Sequence, residues 1–396
     1  MSKYIGTISR GIKTPIIQEG DDIVKIVVDS VVEASENSGF DLNDRDIVGI
    51  TEAVIARAQG NYITTEQLAV DIKNKFPGGE IGLIFPITSR NRFAVCLKGI
   101  AMGVKKITLM LSYPSDEVGN RLVPHEKLEK SNVNPYSDVL NEKQFREAFG
   151  YNKHFFTGVD YVEYYKNVIQ EAGAEAEIIF ANNPAAILQY NKNVLCADIH
   201  TRKRTKQCLL NNGAKTVYTL DELMNKPING SGYNAEYGIL GSNLSTEDKL
   251  KLFPINCEKI VKDIQSSFKE KTGKNIEVMI YGDGALKDPV EHIWELADPV
   301  VSPAYTEGLE GVPNEIKIKY LADNDFSNLS GEELKNAITD RIKNKSSNLK
   351  GDRTSLGTTP RKLTDLLGSL CDLTSGSGDK GTPVVLIQGY FDNYAT

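Results

Sequence analysis

Apolar residues recur along this chain with two periods, and the changes between them divide it into three stretches. Ile23, Ile26, Val27 and Val31 follow Glu19-Gly20-Asp21-Asp22 at helical spacing, with acids where a helix start favours them. Residues Asp46–Thr51 then read as a strand, and Glu52–Ala58 as a helix stopped by Gln59-Gly60. Between residues 80 and 225 strand and helix patterns alternate. Ile81–Ile87, Ile107–Leu111, Glu177–Phe180, Val194–Ile199 and Thr216–Tyr218 are strand-like, with helices over Phe93–Met102 and from Pro184 and Thr201. Such alternation predicts a mostly parallel sheet. Tyr113–Tyr165, rich in Asn, Tyr and Pro, is a long excursion, read as a lid or a helical hairpin.

After Tyr237 the order changes. A helix over Glu258–Lys271 leads through Gly273 to a strand over Ile276–Tyr281, and Ser327–Asp352 is polar and lysine-rich. Thr359-Pro360 opens a helix carrying Leu363, Leu366, Leu367, Leu370 and Leu373, which Gly376 ends; Pro383–Gln388 is a buried strand. The expected fold is α/β: a core built from residues 1–75 and 231–396, split by an inserted domain of mostly parallel sheet over 76–230. A length of 396 residues agrees with more than one domain.

A net charge of −7 argues against nucleic acid or an anionic membrane as partner, because both require a positive field. No secretory leader is evident, and apolar runs such as Val384–Ile387 are too short for a bilayer, so a cytoplasmic protein is expected. The five cysteines, Cys96, Cys196, Cys208, Cys257 and Cys371, include no CxxC pair and read as reduced thiols. The Asn-x-Ser/Thr matches at Asn229, Asn243 and Asn328 then carry no meaning.

Gly376-Ser377-Gly378-Asp379-Lys380-Gly381 matches G-x-G-x-x-G, but a dinucleotide fingerprint runs strand to helix, whereas here a helix leads to a strand. The loop is either a connector or a cradle of N–H groups and a lysine for phosphate. Asp283 follows the strand Ile276–Tyr281 in a Gly-Asp-Gly turn, a place suited to a metal-binding carboxylate and equally to a plain turn. Asp323-x-Asp325-x-Ser327 fails as a calcium loop, with Asn328 and Leu334 where glycine and glutamate belong. His125, His154 and His292 have no metal spacing. In the middle sheet, ligands belong beyond the carboxyl ends of strands, where the loops offer Arg90 and Arg92, Asn182-Asn183, and Asp198 with His200. The two arginines suit a carboxylate or phosphate substrate, or else pair with surface acids.

Taken together, the chain ends resemble the coenzyme F420-0:L-glutamate ligase (gamma-glutamyl ligase) family. The likeness runs through Thr14-Pro15-Ile16-Ile17, Gly20-Asp21-Asp22, Ile47–Ile50 and Ala53–Gly60, then Tyr237–Asn243, Val278–Gly284 and Asp365–Gly389. It implies an enzyme that joins glutamate to a carboxylate through an acyl phosphate, using GTP (or ATP) and Mg2+ or Mn2+, and working as a homodimer. It further implies small-molecule carboxylate and amino-acid partners. In this chain it makes Asp283 a metal ligand and Arg57 a phosphate contact. Pro15, Ile16, Ile17, Gly378 and Lys380 become nucleotide contacts, and Ser242 and Asn243 lie in the substrate loop.

The chain departs from the family pattern in places. The loop aspartate is replaced by Leu240, which cannot bind metal, and the last strand ends in Gln388 instead of a basic residue. Two alternatives therefore stand beside the ligase: a non-catalytic binding protein on the same scaffold, and a different enzyme whose chemistry lies in the middle sheet.

Overall fold

The computed structural model describes residues 4–88, 92–154, 157–282, 286–287, 294–295, 301–355, 361–375 and 379–396. The fold is α/β, and the chain forms two compact units. One is made of both chain ends, up to Ala58 and again from Asn256; the other runs from Gln59 to Ile255.

The terminal unit is built on a five-stranded mixed sheet. In sheet order its strands are Ile8–Ile12, Val384–Gln388, Ile47–Thr51, Glu277–Gly282 and Val301–Tyr305. Only the pairing of Ile47–Thr51 with Glu277–Gly282 is parallel. Alternate residues of each strand serve opposite faces. Val48, Ile50, Val278, Ile280, Val384 and Leu386 pack beneath the helices Ile23–Ser38 and Cys257–Thr272, through Val27, Val31, Val261, Ile264 and Phe268. Ile47, Met279, Tyr281, Val385 and Ile387 meet Leu367 and Cys371 of the helix Leu363–Ser375. Gly49 permits this second layer: a Cβ there would lie 2.3 Å from the Cys371 sulfur. The leucine pattern thus forms the expected helix, described from Leu363; the start signal at Thr359-Pro360 lies outside the described residues.

The middle unit carries a six-stranded sheet in the order Leu140–Asn141, Glu175–Phe180, Lys106–Leu111, Glu80–Ile84, Asn193–Cys196, Thr216–Thr219. All pairs but the first are parallel, as the alternating pattern predicts. In chain order the parallel strands stand 3-2-1-4-5, so the direction of winding reverses between Glu80–Ile84 and Asn193–Cys196. The segment from Pro184 is a 3-10 helix to Gln189 instead of an α-helix. The Tyr113–Tyr165 excursion holds the short helices His125–Glu129 and Glu142–Phe149, the latter seating Phe145 flat against Phe180 with ring centres 3.7 Å apart.

The unit boundaries lie at 58/59 and 255/256, not at 75/76 and 230/231. The strand Tyr62–Thr64 pairs with Lys249–Lys251, which in turn pairs with Asn243–Thr246. The helix Thr65–Lys75 packs on Arg92–Met102, where Gly99 lets Leu68 approach. These pairings join residues far apart in sequence, which local periodicity does not register. The unit is closed by one side chain: the Gln59 amide donates to the Ile255 carbonyl at 2.7 Å and accepts from its N–H at 2.9 Å.

Candidate active site

The register of the terminal sheet decides which loops share an end. Ile12 stands opposite Val384, Val384 opposite Ile50, and Thr51 opposite Tyr281. One end therefore gathers the segment after Ile12, the helix Glu52–Ala58 after Thr51, the end of the strand at Gly282, and residues 379–383 before Val384. Backbone hydrogen bonds tie these segments: Thr14 N–H to the Gly381 carbonyl (3.3 Å), Thr51 N–H to Pro383 (3.0 Å), and Gly20 N–H to Ala58 (2.9 Å). The carboxyl ends of Ile8–Ile12, Ile47–Thr51 and Glu277–Gly282 all point there, the place where α/β sheets hold ligands.

Of the sequence-predicted residues, Arg57 lies in the last turn of Glu52–Ala58 with its side chain exposed, so its charge is available to an anion and also complements the helix terminus. Pro15 and Ile16 are exposed, Ile16 by 84%, while Ile17 is anchored in the core at 4%. An exposed isoleucine beside a buried one offers an apolar shelf without loosening the loop. A groove of about 820 Å³ runs from Arg10 and Phe40 to Thr14 and Pro15 along the helix Ile23–Ser38. Lys380 is exposed one residue before Gly381. Asp283 and Gly378 lie outside the described residues, although their neighbours Gly282 and Asp379 fall at this end of the sheet.

The sequence reading missed Glu52. It is the first residue after Thr51, is only 4% exposed, and engages in an interaction at the same sheet end. An acid in a helix first turn reads from sequence as a dipole partner, and its burial alone sets it apart. Tyr281 stands opposite Thr51 in the sheet, its hydroxyl donating to Ser375 Oγ at 3.0 Å, and burial pushes this phenol well above its ordinary pKa. Gln388, read as a missing basic residue, lies at the opposite end. It accepts from Arg10 (2.5 Å) and donates to the buried Asp46 (2.6 Å), a structural bridge.

Metal ligation finds no completed set: among the described residues no group of three or more His, Cys, Asp or Glu is placed to hold an ion. Leu240 is buried in the middle unit's core at 6% exposure. Ser242 and Asn243 also belong to the middle unit. Ser242 is buried with its hydroxyl 3.5 Å from Cys96 Sγ, and Asn243 opens the hairpin strand opposite Lys251.

In the middle unit, Arg90 and the Arg92 side chain lie outside the description. At the reversal of winding, Asp198 follows Asn193–Cys196 and is fully buried. Its Oδ2 accepts from Thr201 and Thr205 hydroxyls at 2.6 Å each, while Oδ1 has no hydrogen-bond partner among the described residues. Glu117, from the loop after Lys106–Leu111, accepts from the Ile199, His200 and Thr201 N–H groups at 2.5, 3.1 and 3.3 Å. Burial raises the pKa of both carboxyls, and the charge of Asp198 raises Glu117 further against the pull of those N–H groups.

Among the described residues no helix is long and apolar enough to cross a membrane. No curated protein matches the chain. A family model described as F420-0:Gamma-glutamyl ligase matches residues 11–389, across both units. With that span, and with the ends of the chain assembled into one sheet, the chain belongs to the F420-0:gamma-glutamyl ligase family, a family of ligases.

Proposed function

We propose that this protein is a nucleotide- and divalent-metal-dependent amide ligase that joins glutamate, or a similar amine, to a small-molecule carboxylate. The observation that carries the reading is the convergence of Pro15–Ile17, Arg57, Glu52 and the Lys380–Gly381 loop on one sheet end, where Gly282 also delivers the chain to Asp283. In this reading the acceptor carboxylate attacks the γ-phosphorus of GTP or ATP, forming an acyl phosphate and releasing the diphosphate. The amine then attacks the acyl carbon and expels inorganic phosphate. Arg57 and Lys380 offset charge on the phosphates, and the Gly378 loop presents backbone N–H groups. Pro15, Ile16 and Ile17 seat the base. Asp283 would hold Mg2+ or Mn2+, which would supply Lewis-acid stabilisation of the transferring group.

The mechanism leaves an isotopic signature. With an acceptor labelled with 18O in its carboxylate, one 18O per amide formed appears in the released phosphate. Unlabelled phosphate accompanying labelled amide would contradict the acyl phosphate.

A second reading has one observation in its favour. The winding reverses between Glu80–Ile84 and Asn193–Cys196, and Oδ1 of Asp198, which follows the second of these strands, has no partner among the described residues. In that reading Arg90, Arg92, Asp198 and His200 bind the acceptor or carry a separate reaction. Unchanged acceptor binding in Arg90→Ala/Arg92→Ala removes its support.

A further inference from the structure

A cavity of about 940 Å³ lies within the terminal unit. Glu258, Lys262 and Gln265 of the helix Cys257–Thr272 line one side, and Tyr305–Gly308 with Glu310 line another. Glu277 reaches it from the start of its strand. That is the other end from Gly282, about 17 Å away at ~3.3 Å per residue.

Glu277 is only 5% exposed yet lines this space. Among the described residues both of its side-chain hydrogen bonds fall on one oxygen: Oε2 accepts from the Thr306 hydroxyl and from Gln265 Nε2 at 3.3 Å. Oε1 lies against Gly308, where a Cβ would come within 2.1 Å of it. Gln265 is itself held, donating to the Ile276 carbonyl at 2.9 Å, and the Thr306 hydroxyl lies beside the Val278 N–H at 3.0 Å. The carboxylate is therefore oriented by neighbours that are fixed in turn, and one oxygen is left for a donor.

The rest of the lining sets the charge. Glu258, Glu307 and Glu310 are exposed around the opening, with Lys262 the sole cation among the lining residues. Three acids at the rim attract cations, and a carboxylate oxygen at the wall is in place to accept from one that docks.

We propose that this cavity is a second ligand site, for a small molecule bearing a guanidinium group that donates to Glu277 Oε1. The site does not depend on the ligase reading, because it uses none of the residues at the other sheet end. Guanidino amino acids and guanidines without a carboxylate share the required chemistry, and the test separates them.

The full chain is titrated calorimetrically with arginine, agmatine and citrulline, the last a near-isostere of arginine that keeps its α-ammonium and carboxylate but lacks the guanidinium charge. The expected result is binding of arginine or agmatine at least about tenfold tighter than citrulline, a difference of ~1.4 kcal/mol. Agmatine binding as well as arginine identifies a guanidine ligand without a carboxylate; a preference for arginine identifies an amino acid held also by Lys262. Glu277→Gln, which keeps the side-chain shape, should lose that tenfold preference. Glu307→Lys, an exposed change that leaves the wall intact, should weaken binding and reduce its salt dependence. Equal affinity for citrulline and arginine, no binding of any of the three up to about 10 mM, or unchanged binding in both variants overturns the proposal.

Discussion

At the residue scale, Glu52 and Arg57 show how differently two groups on one short helix declare themselves. Arg57 is exposed and was legible as a basic residue before a glycine turn; Glu52 needed the structure, because only burial sets it apart from an ordinary helix-start acid. Arg57→Ala is expected to weaken binding of GTP or ATP by at least about tenfold, the loss of one charge-assisted contact; equilibrium titration with a fluorescent nucleotide measures it. Asp198 gives a prediction in pH. Burial raises its pKa, so the folded state holds the proton more tightly than the unfolded chain does. Its stabilising contribution is complete below the ordinary carboxylate range and is lost as pH rises through the elevated folded value. Asp198→Asn should therefore flatten the fall in stability between pH 4 and neutrality, read by thermal denaturation across that interval; an unchanged slope contradicts the assignment.

At the scale of elements, the strands and helices that rest on local periodicity were readable, and those that rest on distant pairing were not. Leu363–Ser375 announces itself through its leucines, and the parallel strands through short apolar runs between helices. The hairpin Asn243–Thr246 with Lys249–Lys251 is polar on its surface, and its partner Tyr62–Thr64 lies far away in sequence, so neither appears in a windowed pattern. That pairing also moves the unit boundaries and brings Ser242 into the middle unit. The contact between Leu363–Ser375 and the sheet rests on Gly49. Gly49→Ala should cost about 1–3 kcal/mol by overpacking against Cys371. Combining it with Cys371→Ala should recover part of the loss, since the two changes act on one contact; urea denaturation of the four proteins closes that cycle.

At the scale of the molecule, the chain leaves and re-enters the terminal unit at residues that Gln59 holds together through both polar groups of Ile255. A unit whose ends meet is expected to fold when excised. Residues 59–255 expressed alone should unfold cooperatively and show dispersed amide resonances; a collapsed or unstructured fragment would contradict the two-unit description. The candidate segments at the Gly282 end of the terminal sheet could be named from the sequence because they lie in both chain ends in the family's order, and the sheet register explains how segments so far apart become neighbours. The central claim is that this end binds nucleotide through metal at Asp283 and drives ligation. The measurement that bears on it most directly is phosphate release from GTP or ATP by the full chain with glutamate and F420-0, with and without Mg2+ or Mn2+, followed by mass analysis of the coenzyme. The account predicts metal-dependent release matched by a product heavier by one glutamyl residue, with both lost in Asp283→Asn. Metal-dependent turnover that survives intact in Asp283→Asn would contradict it.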